Sequence, residues 1–383
     1  MSPEPPLSLY LHLPWCVRKC PYCDFNSHTA GDAPPKERYL DAIEADLRRE
    51  AGRAGERPLV SIFMGGGTPS FFSGDEIGRL LDVVSKEFHL PADVEITMEA
   101  NPGTVEHGGM ASYAAAGVNR LSLGAQSFDA DSLRRLGRIH GPDEIRAAFD
   151  EASSAGFNNI NLDLMFALPG QGLEMAAADV TEAVSLEPAH ISYYQLTLEP
   201  NTVFHASPPV DLPDEEQSFA IQQCGYELLA GYGYERYETS AFARPGFRCR
   251  HNLNYWMFGD YLAAGAGAHG KLTGADGQVR RYEKPQHPLT YIEQAEARSI
   301  DERERQVTGA DIAFEFMLNA LRLPQGFSGS DFTERTGLPI DSISGGLELA
   351  EAKGMIRQHE GHSWRPTALG LRFQNDLTGL FLP

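Results

Sequence analysis

The chain is short of positive charge. Lys and Arg total 32 against 53 Asp and Glu, a formal net charge of −21. A surface this acidic repels phosphate backbones. The densest basic stretch, Arg134 to Arg138, is brief, so nucleic acid is not expected as a partner. Cysteine is also scarce. Five in 383 residues is a small, odd number that excludes a disulfide framework. No stretch approaches the roughly 18 apolar residues a membrane-spanning helix requires. The opening residues, MSPEPPLSLYLHLPW, lack both the basic start and the long apolar stretch of a signal peptide. Internal repeats and low-complexity tracts are missing too. These absences lead to an expected location in the reducing cytoplasm.

What remains is an ordinary globular balance, 42% hydrophobic and 22% charged, in a chain long enough for a large core. Strand-like runs recur at 7–14, 59–67, 93–102, 119–127, 159–170 and 190–200. Amphipathic helical stretches lie between them, near 36–52, 75–89, 104–116, 142–155 and 173–186. A further helix over 214–231 starts at an Asp N-cap. Six strands alternating with helices predict an α/β fold with a mostly parallel sheet and right-handed crossovers. In such folds ligands sit at the C-terminal ends of the strands. Gly65 to Thr68, Glu99 and Gln126 fall at those ends, and Asp163 lies within the fifth strand.

The pattern changes after residue 238. Residues 239–310 are rich in Gly and aromatics and read as an ordered connecting loop carrying HNLNYW (251–256). A helix over 311–323, two short helical stretches, a hairpin at 355–366 and a last helix then predict a winged-helix-like module over 311–383. Its few basic residues favour packing or protein contact over DNA.

Three of the five cysteines, Cys16, Cys20 and Cys23, crowd into eight residues. Buried free thiols are one reading. A zinc site completed by His12 or His28 is a second, although zinc prefers four ligands in separated pairs. The third is a 4Fe–4S cluster. Three thiolates leave one of four irons open to chelate a small molecule. S-adenosylmethionine offers an amino and a carboxylate group for that position. An electron from the cluster then breaks a carbon–sulfur bond of the sulfonium and yields a deoxyadenosyl radical. The C-x₃-C-x₂-C spacing after a first strand, with Tyr22 before the last Cys, is the radical-SAM signature. Phe25 stands two residues beyond Cys23, and Cys224 falls on a predicted helix and reads as core.

Other residues suit the same cofactor. The glycines of MGGGTP (64–69) allow close backbone approach, with carbonyls for an ammonium and N–H groups for a carboxylate. A tight turn is the plain alternative. Glu99 or Asp163 could accept from ribose hydroxyls, Arg138 could pair a carboxylate, and Tyr10 could close over the cluster. Asp163 in an apolar strand needs a partner. Each of these could equally be a structural polar residue.

At this point the sequence resembles a known family. YLHLPWCVRKCPYCDFNSH, GGGTPS, EANPGT, GVNRLSLGAQSF, LGRIHG, NLDLMFALPG, YYQLTLEPNT and HNLNYWMFGDYLAAGAGAHG are similar to radical-SAM proteins of the oxygen-independent coproporphyrinogen III oxidase superfamily, nearest its haem-chaperone branch. The resemblance implies a partial (β/α)₆ barrel over 1–238 plus the smaller C-terminal α+β domain. It implies that Cys16, Cys20 and Cys23 bind the cluster. Tyr10, Gly66, Gly67, Thr68, Glu99, Gln126, Arg138 and Asp163 would contact S-adenosylmethionine, with Gly67 and Thr68 matching contacts to a second molecule in the oxidase branch. It further implies haem as cargo, acceptor haemoproteins such as respiratory enzymes, a reduced flavodoxin- or ferredoxin-type electron donor, and a homodimer among its assemblies.

Two departures separate the chain from the oxidases. They carry a cysteine where Phe25 stands, and an N-terminal extension, whereas 15 residues precede Cys16 here. HNLNYW is the feature that resembles the chaperones. His251 could ligate haem iron, with Tyr255 and Trp256 stacking on the porphyrin. Cys249 is an alternative ligand, and His251 and His269 also read as structural loop histidines. Haem transfer is therefore the expected function, with oxidative decarboxylation of coproporphyrinogen III as the alternative.

Overall fold

A computed structural model describes residues 4–31, 33–103 and 109–383. Six parallel strands form its centre: β1 (Leu7–Leu13), β2 (Leu59–Gly66), β3 (Glu95–Ala100), β4 (Arg120–Gln126), β5 (Ile160–Phe166) and β6 (His190–Gln195). The main helices between them are α1 (Lys36–Ala54), α2 (Gly74–Glu87), α3 (Met110–Ala116), α4 (Pro142–Ser154) and α5 (Leu173–Ser185), followed by α6 (Glu215–Gly231). The first part of the helix expected at 104–116 lies outside the described residues.

Alternation along each strand sorts the side chains. Leu7, Leu9, Leu11 and Leu13 of β1 are buried against Tyr39, Leu40, Ile43 and Leu47 of α1. Such packing stabilises the fold by about 25 cal/mol per Å² of apolar surface buried. The opposite face, which becomes the barrel interior, is polar: Ser8 Oγ meets Ser61 Oγ at 2.8 Å, and Tyr10 meets His12 at 3.0 Å. Buried polar residues need partners, and here they find them both along β1 and across to β2.

The region 239–310 is not a loop. After β7 (Glu235–Glu238) and β8 (Ala241–Ala243), the HNLNYW segment forms helix α7 (Arg250–Trp256). Four strands follow: β9 (Asp260–Ala264), β10 (His269–Thr273), β11 (Val279–Glu283) and β12 (Arg303–Val307). All join one twelve-stranded sheet of order β12-β11-β10-β9-β1-β2-β3-β4-β5-β6-β8-β7, with β9 parallel to β1. The glycines suggested a loop, but they serve close packing: a Cβ at Gly259 would lie 1.8 Å from Asn254 Oδ1, and one at Gly270 2.1 Å from Tyr282.

A buried ion cluster clasps this extension to α1. Lys284 Nζ lies 2.6 Å from Asp46, 2.8 Å from Glu50 and 2.5 Å from Glu302. The C-terminal module has its own core of Ile312, Phe316, Phe332, Leu347 and Trp364 beside a three-stranded sheet (Phe327–Ser328, Ser363–Pro366, Ile356–His359). Phe258 and Val279 join that core. Among the described residues no helix is long and apolar enough to cross a membrane.

Candidate functional site

The C-terminal ends of the strands open into a cavity of about 410 Å³. Cys16, Cys20 and Cys23 line it together with Gly67, Thr68, Glu99, Gln126, Arg138 and Asp163. Tyr10 and Gly66 lie beneath its wall: Tyr10 Oη donates to His12 Nδ1, and Gly66 N donates to Glu99 Oε2 at 3.3 Å. Residues scattered over 148 positions, from Cys16 to Asp163, thus meet at one rim.

The cysteine loop is held firmly. His28 N donates to Pro14 O at 2.7 Å and Ala30 N to Cys16 O at 2.9 Å. Lys19 Nζ donates to Phe25 O and Ser27 O. Asn26 Nδ2 donates to Ala266 O at 3.0 Å and Gln286 O at 2.9 Å, which docks the loop on the turn after β9 and on the segment after β11. Arg138 Nη1 lies 3.6 Å from Cys20 Sγ, its Nη2 donates to Gly124 O at 2.9 Å, and its buried Nε has no partner among the described residues. Burial raises the thiol pKa of Cys16 and Cys23. A cation or metal charge is needed to hold them as thiolates.

The geometry separates the metal readings. Sulfurs bound about 2.3 Å from a single zinc lie roughly 3.8 Å apart. The three cysteine sulfurs do not gather within 4.8 Å of one another, alone or with His12 or His28. His12 is engaged on both sides, with Nε2 2.9 Å from Asn26 O, and His28 Nε2 lies 3.2 Å from Asn26 Oδ1. The trio that does converge among the described residues, Asp46, Glu50 and Glu302, already surrounds Lys284. The wider thiol set and the unpartnered donor of Arg138 fit a polynuclear cluster with an anionic ligand beside it.

The acidic pair of the cavity is set by burial. Glu99 is pushed up to about 8 by desolvation and by the nearby charge of Asp163. Asp163 is also raised by burial, opposed by hydrogen bonds from Asn161 and Ser122 at 2.8 and 3.1 Å and by the Arg120 charge.

The glycine turn corrects one expectation. Its N–H groups are not free for a carboxylate: Gly67 N donates to Leu13 O and Thr68 N to Trp15 O, besides the Gly66–Glu99 bond. The glycines are required for space. A Cβ at Gly67 would lie 2.6 Å from the Pro14 carbonyl, and Gly66 has φ +114° with the His12 ring behind it.

The HNLNYW residues lie at the other end of the barrel. His251 is 3% exposed, and its Nδ1 is 3.0 Å from Ser61 Oγ near the start of β2. Ser61 lies five residues before Gly66, roughly 16 Å along the strand. Burial and the Arg120 charge push His251 down to about 3, so it is neutral. Tyr255 stacks on Tyr261 with ring centres 4.1 Å apart, and Arg322 lies 4.2 Å over Trp256. Cys249 is fully buried, with Sγ 3.6 Å from Glu95 Oε1. As folded, neither candidate ligand, His251 or Cys249, is open to a porphyrin iron, while Tyr255 and Trp256 are partly exposed. His269 is exposed beside Glu283, and Cys224 is only partly buried.

Sequence reading passed over Tyr194, Ser27 and Asn161. Tyr194 Oη donates to Gln126 Oε1 at 2.9 Å and lines the cavity. Its place at the end of the sixth strand was the available signal.

The comparisons agree with this architecture. Residues 10–182 match the Radical SAM superfamily and residues 307–373 the HemN C-terminal domain. The Heme chaperone HemW of Escherichia coli (strain K12) is 48% identical over 99% of this chain and 98% of its own. The chain belongs to the HemW family. The HemW protein of Bacillus subtilis (strain 168) is 34% identical over 98% of this chain and 99% of its own. Among solved structures, the radical-SAM enzyme coproporphyrinogen III oxidase (HemN) of Escherichia coli superposes with a TM-score of 0.83 at 25% identity, covering 99% of this chain and 90% of its own. The HemW relatives and the HemN fold thus span both the barrel and the C-terminal module.

Proposed function

We propose that the chain is a haem chaperone: it binds haem, passes it to acceptor haemoproteins, and carries a 4Fe–4S cluster with S-adenosylmethionine beside it. The observation that carries the cofactor assignment is the single cavity where three thiols, an unpartnered arginine donor and two carboxylates converge. The haem assignment follows the full-length likeness to relatives named for haem chaperoning.

Cys16, Cys20 and Cys23 would hold the cluster, leaving one iron for the cofactor. When bound, the pair supplies one-electron chemistry at a sulfonium. The chain's own residues do the positioning. Arg138 offers its buried Nε to a carboxylate. Glu99 and Asp163 accept from ribose hydroxyls. Gln126, oriented by Tyr194, faces the same space. A flavodoxin- or ferredoxin-type donor, a cytoplasmic setting and a homodimer belong to this reading. So does a division into a core (1–238), a connecting region (239–310) and a C-terminal module (311–383).

His251, Tyr255 and Trp256 are the proposed haem contacts. His251 reaches a porphyrin only if α7 lifts from Ser61 and from Glu95, which accepts from Arg250 N and His251 N. The test is a haem titration of anaerobically reconstituted protein. A saturable Soret shift altered by His251→Ala supports the reading. Protoporphyrinogen formed at catalytic rates from coproporphyrinogen III, reductant and S-adenosylmethionine would replace it with the oxidase reading.

A further inference from the structure

Each cysteine of the trio has its own polar side-chain partner. Arg138 Nη1 reaches Cys20 Sγ, and the Thr68 side chain is hydrogen-bonded to Cys16. The third partner is Ser27, whose Oγ lies 3.7 Å from Cys23 Sγ. Ser27 is buried, at 5% exposure, and its hydroxyl has no other partner among the described residues. A buried hydroxyl without an acceptor is costly, so this contact is the one that satisfies it. Its backbone cannot swing away: Ser27 N donates to Phe25 O at 2.6 Å, and Lys19 Nζ donates to Ser27 O at 3.2 Å.

Between a thiol and a hydroxyl either group could donate. Iron ligation removes the thiol proton, which leaves Ser27 as the donor. Hydrogen bonds to ligand sulfur stabilise added negative charge and raise a cluster's potential.

We propose that Ser27 is a positioning residue that donates to the Cys23 thiolate and raises the potential of the cluster, completing a shell of one donor per cysteine with Thr68 and Arg138. The step it governs is a one-electron transfer from a low-potential flavodoxin- or ferredoxin-class donor to the cluster. No bond forms or breaks, and no proton moves. The inference rests on the cluster assignment above.

The test uses full-length protein, wild type and the variants Ser27→Ala and Ser27→Thr, reconstituted without oxygen. Each is titrated with dithionite and mediators, and the reduced cluster is read by EPR. Ser27→Ala should hold the same iron and sulfide, while its reduced-to-oxidised ratio at fixed potential falls about three- to tenfold, tenfold being about 59 mV for one electron. Ser27→Thr keeps the hydroxyl and should restore the wild-type midpoint. An unchanged midpoint in Ser27→Ala at full iron content overturns the inference. Should Ser27→Ala fail to hold iron, pulsed EPR of reduced wild type decides: exchangeable-proton coupling lost in D₂O and retained by Ser27→Thr supports it, and absence of such coupling overturns it. Wild-type protein that takes up no iron overturns the cluster assignment itself, which iron analysis alone distinguishes.

Discussion

His190 Nδ1 lies 2.6 Å from Asn161 Oδ1, and this contact decides which face of the amide meets Asp163. With its oxygen engaged, Asn161 turns Nδ2 to Asp163 Oδ1 at 2.8 Å and to Ser122 Oγ at 2.7 Å. His190 Nε2 meets Tyr237 Oη at 2.7 Å, and that oxygen accepts from Cys249 N at 3.1 Å. Burial and Arg120 hold the His190 pKa well below its ordinary value, so the ring is neutral with one donor and one acceptor. The chain of bonds runs from the cavity to the residue preceding α7.

His190→Phe therefore breaks a buried network without removing any cavity residue. It leaves the Tyr237 hydroxyl without its acceptor, at about 1–3 kcal/mol, and takes one of two donors from the Asn161 carbonyl, which keeps Ser192 Oγ at 3.1 Å. The expected outcome is a loss of stability in chemical denaturation and weaker S-adenosylmethionine binding by equilibrium dialysis. Asn161→Asp should weaken binding more, because it sets a second carboxylate against Asp163.

The barrel and the rim were legible because their signals are local. Period-two alternation in LSLYLHL and the polar residues ending each strand place Cys16, Glu99 and Gln126 on one rim without knowledge of contacts. The region 239–310 was not legible. Its strands β9 and β10 are short and Gly-flanked, and their partners β1 and β11 are set by tertiary pairing. The N–H groups of the glycine turn misled for a similar reason: Leu13 O, which accepts from Gly67, and Trp15 O, which accepts from Thr68, lie about 50 residues away in sequence. Ser27 carries no motif, and only proximity to Cys23 reveals it.

Lys284 is the keystone of the α1 clasp. Its Nζ is enclosed by Asp46, Glu50 and Glu302, and Tyr282 and Tyr291 also donate to the acids. Lys284→Met leaves buried Asp46 without its cation, while Glu50 and Glu302 keep Arg53, and the loss of one partner of a buried pair costs about 3–5 kcal/mol. Because Asp46 also accepts from Gly265 N, and the next residue, Ala266, holds Asn26, the damage should reach the cysteine loop. Urea denaturation measures the first effect and iron content after reconstitution the second.

His251 gives a pH signature. It is held down to about 3 when folded and titrates near 6.5 when unfolded. Between those values the unfolded chain binds the extra proton, so stability falls as pH drops below about 6.5, by about 1.4 kcal/mol per unit. His251→Gln keeps a hydrogen-bonding group for Ser61 but cannot titrate. The stability advantage of wild type over this variant should be constant above pH 7 and shrink steadily towards pH 5.

Glu99 gives the opposite slope. Its folded pKa is raised to about 8 from an ordinary 4.5, by burial first and by Asp163 second. The folded protein therefore holds a proton on Glu99 that the unfolded chain has released, and stability is lost as pH rises from about 4.5 through 8. Glu99→Gln mimics the protonated form and removes that loss. Cofactor-free Glu99→Gln should match wild type near pH 4.5 and exceed it increasingly up to pH 8, on the order of a few kcal/mol there. Above that pH the gap should level off. Denaturation curves at several pH values measure it. Above pH 8, where Glu99 is ionised, the same variant should bind S-adenosylmethionine more weakly, since an amide accepts ribose hydroxyls less well than a carboxylate. A variant that is no more stable at pH 8 would show that Glu99 is already ionised in the empty cavity. One that binds the cofactor as well as wild type would remove Glu99 from the proposed contacts.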